Sequence, residues 1–408
     1  LRFFKKSLKR LLSPMKEQIP WYSLLRSKYK KGYMMIHNPK PRIGIFTRPI
    51  DKGTSGSGHH LHEMVRTMLQ INREKELFEF FFVHYVKTDR DIYHLAKEVF
   101  IPRNPLSAAA VLRKYNFDLL HHSPLTIFSP LAGLRVKRVA TIHSAEPNII
   151  PQYYTMIEQA HARFIKPVYA RKMDHIFTVS ETSKRYYIEN WHIPAEKISV
   201  CYNAVDSVYR KIDGPLPVLN KFSIKGRYIY HISKYSLRKN PSCLLRAFAE
   251  LSAQSGMSDL QLVISGSGWE NGAVRSLLDD LDLREKVVFT GFTDESEVVQ
   301  LFNGASVFLF PSRAEGYGMP NIEAMSCGCP VVTTRAFAIP EIVGEAALLV
   351  DDPDDYNTFS KHAGRILNDI NLRESMIRKG FEQVKRYSWT KSATTVLETY
   401  EKLLTQNP

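Results

Sequence analysis

Phe310-Pro311-Ser312-Arg313-Ala314-Glu315-Gly316-Tyr317-Gly318-Met319-Pro320-Asn321-Ile322-Glu323-Ala324-Met325 changes character twice within a short span. The apolar run Ser306 to Phe310, with a β-branched residue and two aromatics, predicts a buried parallel strand. Pro311 and Ser312 end it. Gly316 and Gly318 allow a tight turn and a close approach of a ligand to the backbone. Pro320 suits the first position of a helix, where a missing N–H costs nothing. That helix stops at Gly328-Cys329-Pro330, and Val331 to Thr334 reads as the next strand. A strand–loop–helix–strand unit aims a helix N-terminus at its own loop, and such an end carries free N–H groups and about half a positive charge. Glu315 then sits in the loop and Glu323 one turn inside the helix, so a carboxylate stands at each end of a site for a polyhydroxyl or phosphorylated ligand. Spacing alone equally allows an ordinary crossover with solvent-facing glutamates.

Working outward, a regular alternation begins at Pro41. Strands are expected at Ile43–Thr47, Phe80–Tyr85, Phe117–His121, Arg138–His143, His175–Ser180 and Ile198–Tyr202, with a glycine loop at 53–58 followed by a helix from about His59 to Gln70. Gly214, Pro215 and Pro217 mark a linker. A second alternation then runs through strands near 228–232, 260–265, 286–290, 306–310, 330–334 and 347–350. Strands that alternate with helices argue for parallel sheets covered on both faces. The fold expected is α/β, with two doubly wound Rossmann-like domains facing a central cleft. Residues 41–213 form the first and residues 214–389 the second, with a last helix over 390–408. Ligands in such folds sit at the carboxyl ends of the strands.

The net charge of +15 is uneven. Residues 1–40 hold eleven Lys or Arg and one acid, Glu17. Leu1, Phe4, Leu8 and Leu11 follow helical spacing among these cations, and Trp21 and Tyr22 precede a second basic cluster. Basic residues with interfacial aromatics suit an anionic membrane surface, so residues 1–31 are expected to bind one. No nucleic-acid module is visible. No apolar run is long enough to span a bilayer, and no secretory signal follows the basic start. The four cysteines, Cys201, Cys243, Cys327 and Cys329, lack zinc spacing and read as reduced, buried thiols. His59, His60 and His62 cannot share one helix face, so no metal site is expected. Asp89-Arg90-Asp91 is a chance D-x-D triplet, and Asp351 to Asp355 reads as a solvated acidic turn.

These segments, in order, resemble glycosyltransferase family 4, a retaining group with the GT-B fold, over about residues 41–403. Gly56-Ser57-Gly58 resembles the family's N-terminal glycine loop. Thr141-Ile142-His143 resembles the strand end that carries an active-site histidine. Ser199 to Asp206 resembles the hinge-proximal motif, with Ala204 where glycine is usual. Ser233-Lys234-Tyr235-Ser236-Leu237-Arg238-Lys239-Asn240 resembles the basic donor-phosphate loop. Val263 to Gly268 and Phe289-Thr290-Gly291-Phe292 resemble the strand–turn pair beside the nucleotide. Glu315 to Glu323, then Gly328 to Val332, resembles the family signature. Tyr387-Ser388-Trp389 and the last helix resemble the tail that returns to the first domain.

The resemblance implies a hexosyltransferase-type enzyme that moves a sugar from a UDP- or GDP-linked donor to a glycan or lipid-linked acceptor, with retention at the anomeric carbon and no cofactor. It implies His143, Lys239 and Glu315 at the reacting centre. Gly56, Gly58, Lys234, Arg238, Gly266, Phe292, Gly316, Tyr317, Gly318, Met319 and Glu323 are implied to hold the donor, Glu323 on its ribose. Lys234 departs from the usual arginine and cannot make a planar bidentate contact. A cytoplasmic protein at the inner membrane face is expected. A non-catalytic partner subunit and a sugar-nucleotide epimerase are the alternatives.

Overall fold

The computed structural model describes residues 39–53, 56–123, 125, 129–130 and 134–405. The basic amphipathic segment, Pro39 and Lys40 apart, lies outside the described residues, as do Thr54 and Ser55. The first sheet has seven strands: β1 Arg42–Phe46, β2 Glu79–His84, β3 Lys97–Phe100, β4 Leu119–His122, β5 Lys137–Thr141, β6 His175–Thr178 and β7 Ile198–Val200, in the order β3-β2-β1-β4-β5-β6-β7. The second has six: β8 Tyr228–Ile232, β9 Gln261–Ser265, β10 Val287–Gly291, β11 Val307–Phe310, β12 Val331–Thr334 and β13 Ala347–Val350, in the order β10-β9-β8-β11-β12-β13. Neighbouring strands are parallel throughout, with Ile43 beside Phe80 and Phe308 beside Val331. Helices of eight residues or more are α1 Gly56–Lys75, α2 Pro105–Arg113, α3 Glu181–Trp191, α4 Pro241–Ser252, α5 Gly272–Asp280, α6 Glu295–Gly304, α7 Met319–Ser326, α8 Tyr356–Asn368, α9 Ile370–Val384 and α10 Trp389–Thr405.

Both sheets reverse direction once, between β1 and β4 and between β8 and β11. Each reversal opens a crevice at the carboxyl ends of two strands whose connections leave in opposite directions. In the second sheet those two strands feed Ser233–Asn240 and Pro311–Gly318. The topology therefore brings the basic loop to the two-glutamate loop, although they lie far apart in sequence.

The expected strands are present, with no end shifted by more than two residues. One strand escaped the sequence: β3 carries Lys97 and Glu98 on an edge and buries only Val99, so its apolar run, Val99 to Ile101, is too short to read as a strand. The expected glycine loop is shorter than its sequence suggests. Helix α1 starts at Gly56 and runs to Lys75, and neither Gly56 nor Gly58 has a positive φ. These glycines serve the first turn of a helix, leaving its backbone uncovered by side chains.

α10 crosses back to the first domain. Trp389, Ala393, Val396, Leu397 and Tyr400 enter the core formed by β1 and α1, and Tyr400 Oη hydrogen-bonds His121 Nδ1 at 2.5 Å. The domains also meet at a small apolar cluster of Val179, Tyr317, Ile322 and Ile342. Beside it, the Glu341 carboxylate accepts bonds from Glu181 N, Thr182 N and Oγ1, and Tyr202 Oη at 2.7–2.8 Å. A carboxylate of one domain thus caps the first turn of α3 in the other, where free N–H groups and the helix dipole favour a negative charge.

Candidate active site

At the second reversal, Glu315 is nearly buried. Its Oε1 accepts from Lys239 Nζ at 2.5 Å, Arg238 Nη1 at 2.7 Å and Ser312 Oγ at 2.5 Å. Burial pushes the carboxyl up, but the charges of Lys239 and Arg238 outweigh it and hold the group at about 2. Burial pulls the Lys239 ammonium down and Glu315 opposes it. Arg238 is raised further by Glu315 and Glu146 against its own burial. Lys239 also sits over the Phe310 ring, 4.7 Å from its centre. The ion group is therefore charged and largely buried.

The turn into α7 needs glycine twice. Gly318 is left-handed, φ 86°, and starts α7 without a side-chain cap. The helix begins at Met319, so Pro320 is its second residue rather than its first. At Gly316 a Cβ would lie 2.5 Å from Ser144 Cβ and 2.6 Å from the His143 carbonyl oxygen. That contact is between domains. Gly316 N donates to Glu146 Oε1 at 3.2 Å, and Arg238 Nη1 stands 3.7 Å from the same oxygen.

His143 lies two residues beyond β5, so it stands in the cleft rather than ending the strand. Among the described residues its buried Nε2 has no hydrogen-bond partner. Burial, with His60 and Lys166 adding, holds the imidazole well below its usual range and neutral. His60 meets it edge-on, ring centres 4.6 Å apart, and is itself fixed by Nδ1 to Asn203 Oδ1 at 2.6 Å. A neutral imidazole keeps one acceptor and one donor nitrogen, and here one of the two is unused.

Glu323 has a different setting. It faces His59, Asp206 and Glu295, and burial first, then the two carboxylates against His59, push its carboxyl up to about 7. His59 Nε2 pairs with Asp206 Oδ2 at 3.1 Å. Burial opposes the charge on His59, yet Asp206 and Glu323 raise it to about 8. Asp206 and His59 come from the first domain, so Glu323 too is at a domain junction.

The remaining expected residues divide. Tyr317 is buried and its hydroxyl donates to the Asn203 carbonyl, so its side chain ties the loop to the hinge and only its backbone N–H is left for the expected donor contact. Met319 packs beside the same cluster. Gly266, φ 110°, is required because a Cβ would lie 2.1 Å from the Ser233 oxygen. Phe292 is 73% exposed after β10. Lys234 is exposed, and among the described residues the ion pairs of Glu315 are with Arg238 and Lys239, which form the compact cation pair. Gly56 is exposed and Gly58 buried in the first turn of α1. The acidic turn is not simply solvated: Asp354 binds Asn240 Nδ2 at 3.0 Å and pairs with Arg313, and Asp355 caps α8. It braces the basic loop from behind. Glu146, Asp206, Ser312 and Glu341 were missed. Each is an ordinary polar residue whose partner is distant in sequence, and no local pattern marks it.

Two sequence profiles cover the two domains: Glycosyltransferase Family 4 matches residues 57–208, and Glycosyl transferases group 1 matches residues 220–383. The chain is 30% identical over 391 residues to O-antigen chain mannosyltransferase B of Escherichia coli, covering 89% of this chain and 100% of that one. It is 27% identical over 323 residues to MMP alpha-(1->4)-mannosyltransferase of Mycolicibacterium hassiacum, covering 73% and 74%. Its fold matches that of HepE from Anabaena, solved with UDP and glucose, at a TM-score of 0.69 and 17% identity over 88% of this chain and 99% of that one. Two parallel-sheet domains, a cleft with paired glutamates and these matches lead to one assignment: the chain belongs to the group 1 glycosyl transferases of glycosyltransferase family 4, has the GT-B fold, and is a hexosyltransferase that uses a nucleotide sugar.

Proposed function

We propose that this enzyme transfers a hexose, with retention and without a metal ion, from a UDP- or GDP-linked donor to a glycan or lipid-linked acceptor of polysaccharide assembly. Mannose is the first sugar to test, because a 30% identical relative is named a mannosyltransferase of the O-antigen chain. The observation that carries the reading is the Arg238–Lys239–Glu315 group at the start of α7, against the neutral His143 of the other domain. Lys239, Arg238 and the α7 N-terminus stabilise the charge that grows on the leaving diphosphate. His143 Nε2 takes a hydroxyl of the donor sugar. Glu323 accepts from the ribose hydroxyls. Glu315 is committed to two cations, which suits a group that orders the phosphate site rather than a free nucleophile. The leaving phosphate is then the base for the acceptor hydroxyl on the same face. Residues 1–31 hold the enzyme at the inner face of an anionic membrane.

Calorimetry with GDP-mannose and UDP-glucose, for the wild type and Glu323→Ala, tests the donor site; equal affinity in both proteins sinks the assigned role. NMR of the product's anomeric proton tests retention, and unchanged turnover in EDTA is expected. Epimerised donor in the absence of acceptor would replace transfer by epimerisation, and intact folding without nucleotide binding would mark a non-catalytic subunit.

A further inference from the structure

The sixteen residues from Met156 to Arg171 form one continuous helical run, α to Ala160, π through His161–Ile165 and α again to Arg171. Its inner side is packed: Ala162, Pro167 and Ala170 are buried. Its outer side is apolar and uncovered. Met156 is 79% exposed, Ile157 82%, Phe164 62% and Val168 41%. These are four of the eleven exposed large apolar side chains among the described residues, gathered on one short run. Met156, Ala160, Phe164 and Val168 recur every fourth residue, the spacing of one helix face. Arg163, Arg171 and Lys172 flank the stripe and are exposed, against one acid, Glu158. The Arg163 guanidinium lies 5.5 Å from the Phe164 ring centre.

We propose that this face of the first domain docks on an anionic lipid bilayer, with Met156, Ile157, Phe164 and Val168 entering the headgroup–acyl boundary and Arg163, Arg171 and Lys172 meeting lipid phosphates. An apolar stripe edged by cations is the pattern of an interfacial helix. Charge decides against residues 1–38 as the occupant, since they are strongly basic and the stripe is edged with cations. Area decides against a second copy, since a stable interface needs about 800 Å² per partner and four side chains supply less. The docked face is also tied to the reacting centre. Lys166 Nζ donates to the Ser144 carbonyl at 3.0 Å, Tyr154 Oη donates to Glu146 Oε2 at 3.4 Å, and Glu146 receives Gly316 N. Lys166 of the run, and Tyr154 just before it, therefore hold the loop bearing His143 and Glu146, and a lipid-linked acceptor enters the cleft beside it. The surface itself does not rest on the sugar-transfer reading.

The test uses the full chain carrying Ile157→Cys labelled with an environment-sensitive nitrobenzoxadiazole; the four native cysteines are buried. Blue-shifted emission with phosphatidylglycerol–phosphatidylethanolamine vesicles, and none with phosphatidylcholine, is the expected result. The double variant Ile157→Glu/Phe164→Glu should lower vesicle binding by about tenfold or more and leave donor hydrolysis in solution unchanged. Binding of the protein to vesicles with no shift at position 157 would overturn the proposal and leave the basic segment as sole anchor. A shift without lipid that grows with protein concentration, or that vanishes on removal of residues 1–38, would overturn it in favour of self-association or of that segment.

Discussion

Glu315 and Glu323 stand eight positions apart and are the same amino acid, yet the structure gives them opposite surroundings. Glu315 is enclosed by Lys239, Arg238 and Ser312 and is held at about 2. Glu323 faces Asp206, Glu295 and His59 and is pushed up to about 7. Burial acts the same way on both; the neighbours decide the sign. One carboxylate is therefore a fixed charge that organises two cations. The other is a site of shared protons that gains from hydroxyl groups placed against it. Pairs whose environments drive their titrations apart take different roles in one site.

The sharpest way to break this contrast is at the cationic end. Glu315→Ala leaves Lys239 and Arg238 buried with no counter-charge. Removing one partner of a buried pair costs about 3–5 kcal/mol, so urea unfolding should show a loss of that size. An unfolding midpoint within error of wild type would mean that the ion group is not a stability element. Lys239→Met keeps Arg238 on Glu315 but removes the buried ammonium. Turnover of the donor should fall by about 10²–10³, read as nucleoside diphosphate release. A small change would shift the phosphate role to Arg238 or to exposed Lys234.

Gly316→Ala tests whether the cationic end requires domain contact. The added Cβ collides with Ser144 and the His143 carbonyl. The domains should part, visible as a larger radius of gyration, and a displacement near 1 Å should cost about 10²-fold in kcat/KM. Unchanged scattering and kinetics would show that this approach is not needed for turnover.

The contrast also predicts opposite pH dependence. Glu315 is depressed from its ordinary 4.5 to about 2, so its contribution to stability is present above 4.5 and lost as pH falls through about 2. Glu323 is raised to about 7, so the folded state holds a proton that the unfolded state has released, and stability falls as pH rises from 4.5 through 7. His59, raised to about 8, adds stability below 6.5 that is lost as pH rises through 8. Glu323→Gln should flatten the stability profile between pH 4.5 and 7, measured by urea titration at a series of pH values. A profile identical to wild type there would remove Glu323 as the titrating group.

The smallest effect is expected at Glu341, outside both nests. Glu341→Ala removes the cap that the second domain places on α3, costing about 1 kcal/mol. Scattering should report a wider distribution of domain orientations without loss of donor affinity. If affinity falls as well, the clasp belongs to the donor site.

Much of this was legible in the sequence because the information is local. The run from Val307 to Thr334 alternates strand, turn and helix within reach of its own hydrogen bonds, and glycine and proline punctuate it. Both parallel sheets and the loop of Glu315 follow from such runs, whereas the return of α10 to the first domain came only with the family resemblance. β3 was not legible, since a short edge strand with one buried side chain leaves too short an apolar run. The glycine segment before α1 was read as a loop because glycine marks turns more often than helix starts. The acidic turn hid its function because Asp354 acts on Asn240 and Arg313, which lie 114 and 41 positions away respectively.

By itself the sequence determined the fold class, the two-domain division and the chemical types gathered at the site, since these depend on periodicity and on the residues a turn or helix end requires. Only the tertiary structure decided what each charge does. The order of strands at the β8–β11 reversal puts Arg238 and Lys239 on Glu315 and leaves Lys234 outside. Domain contact sets His59 and Asp206 before Glu323, and among the described residues Nε2 of His143 stays unpaired. A charge is defined by its neighbours through distance and burial, and neither quantity is written along the chain.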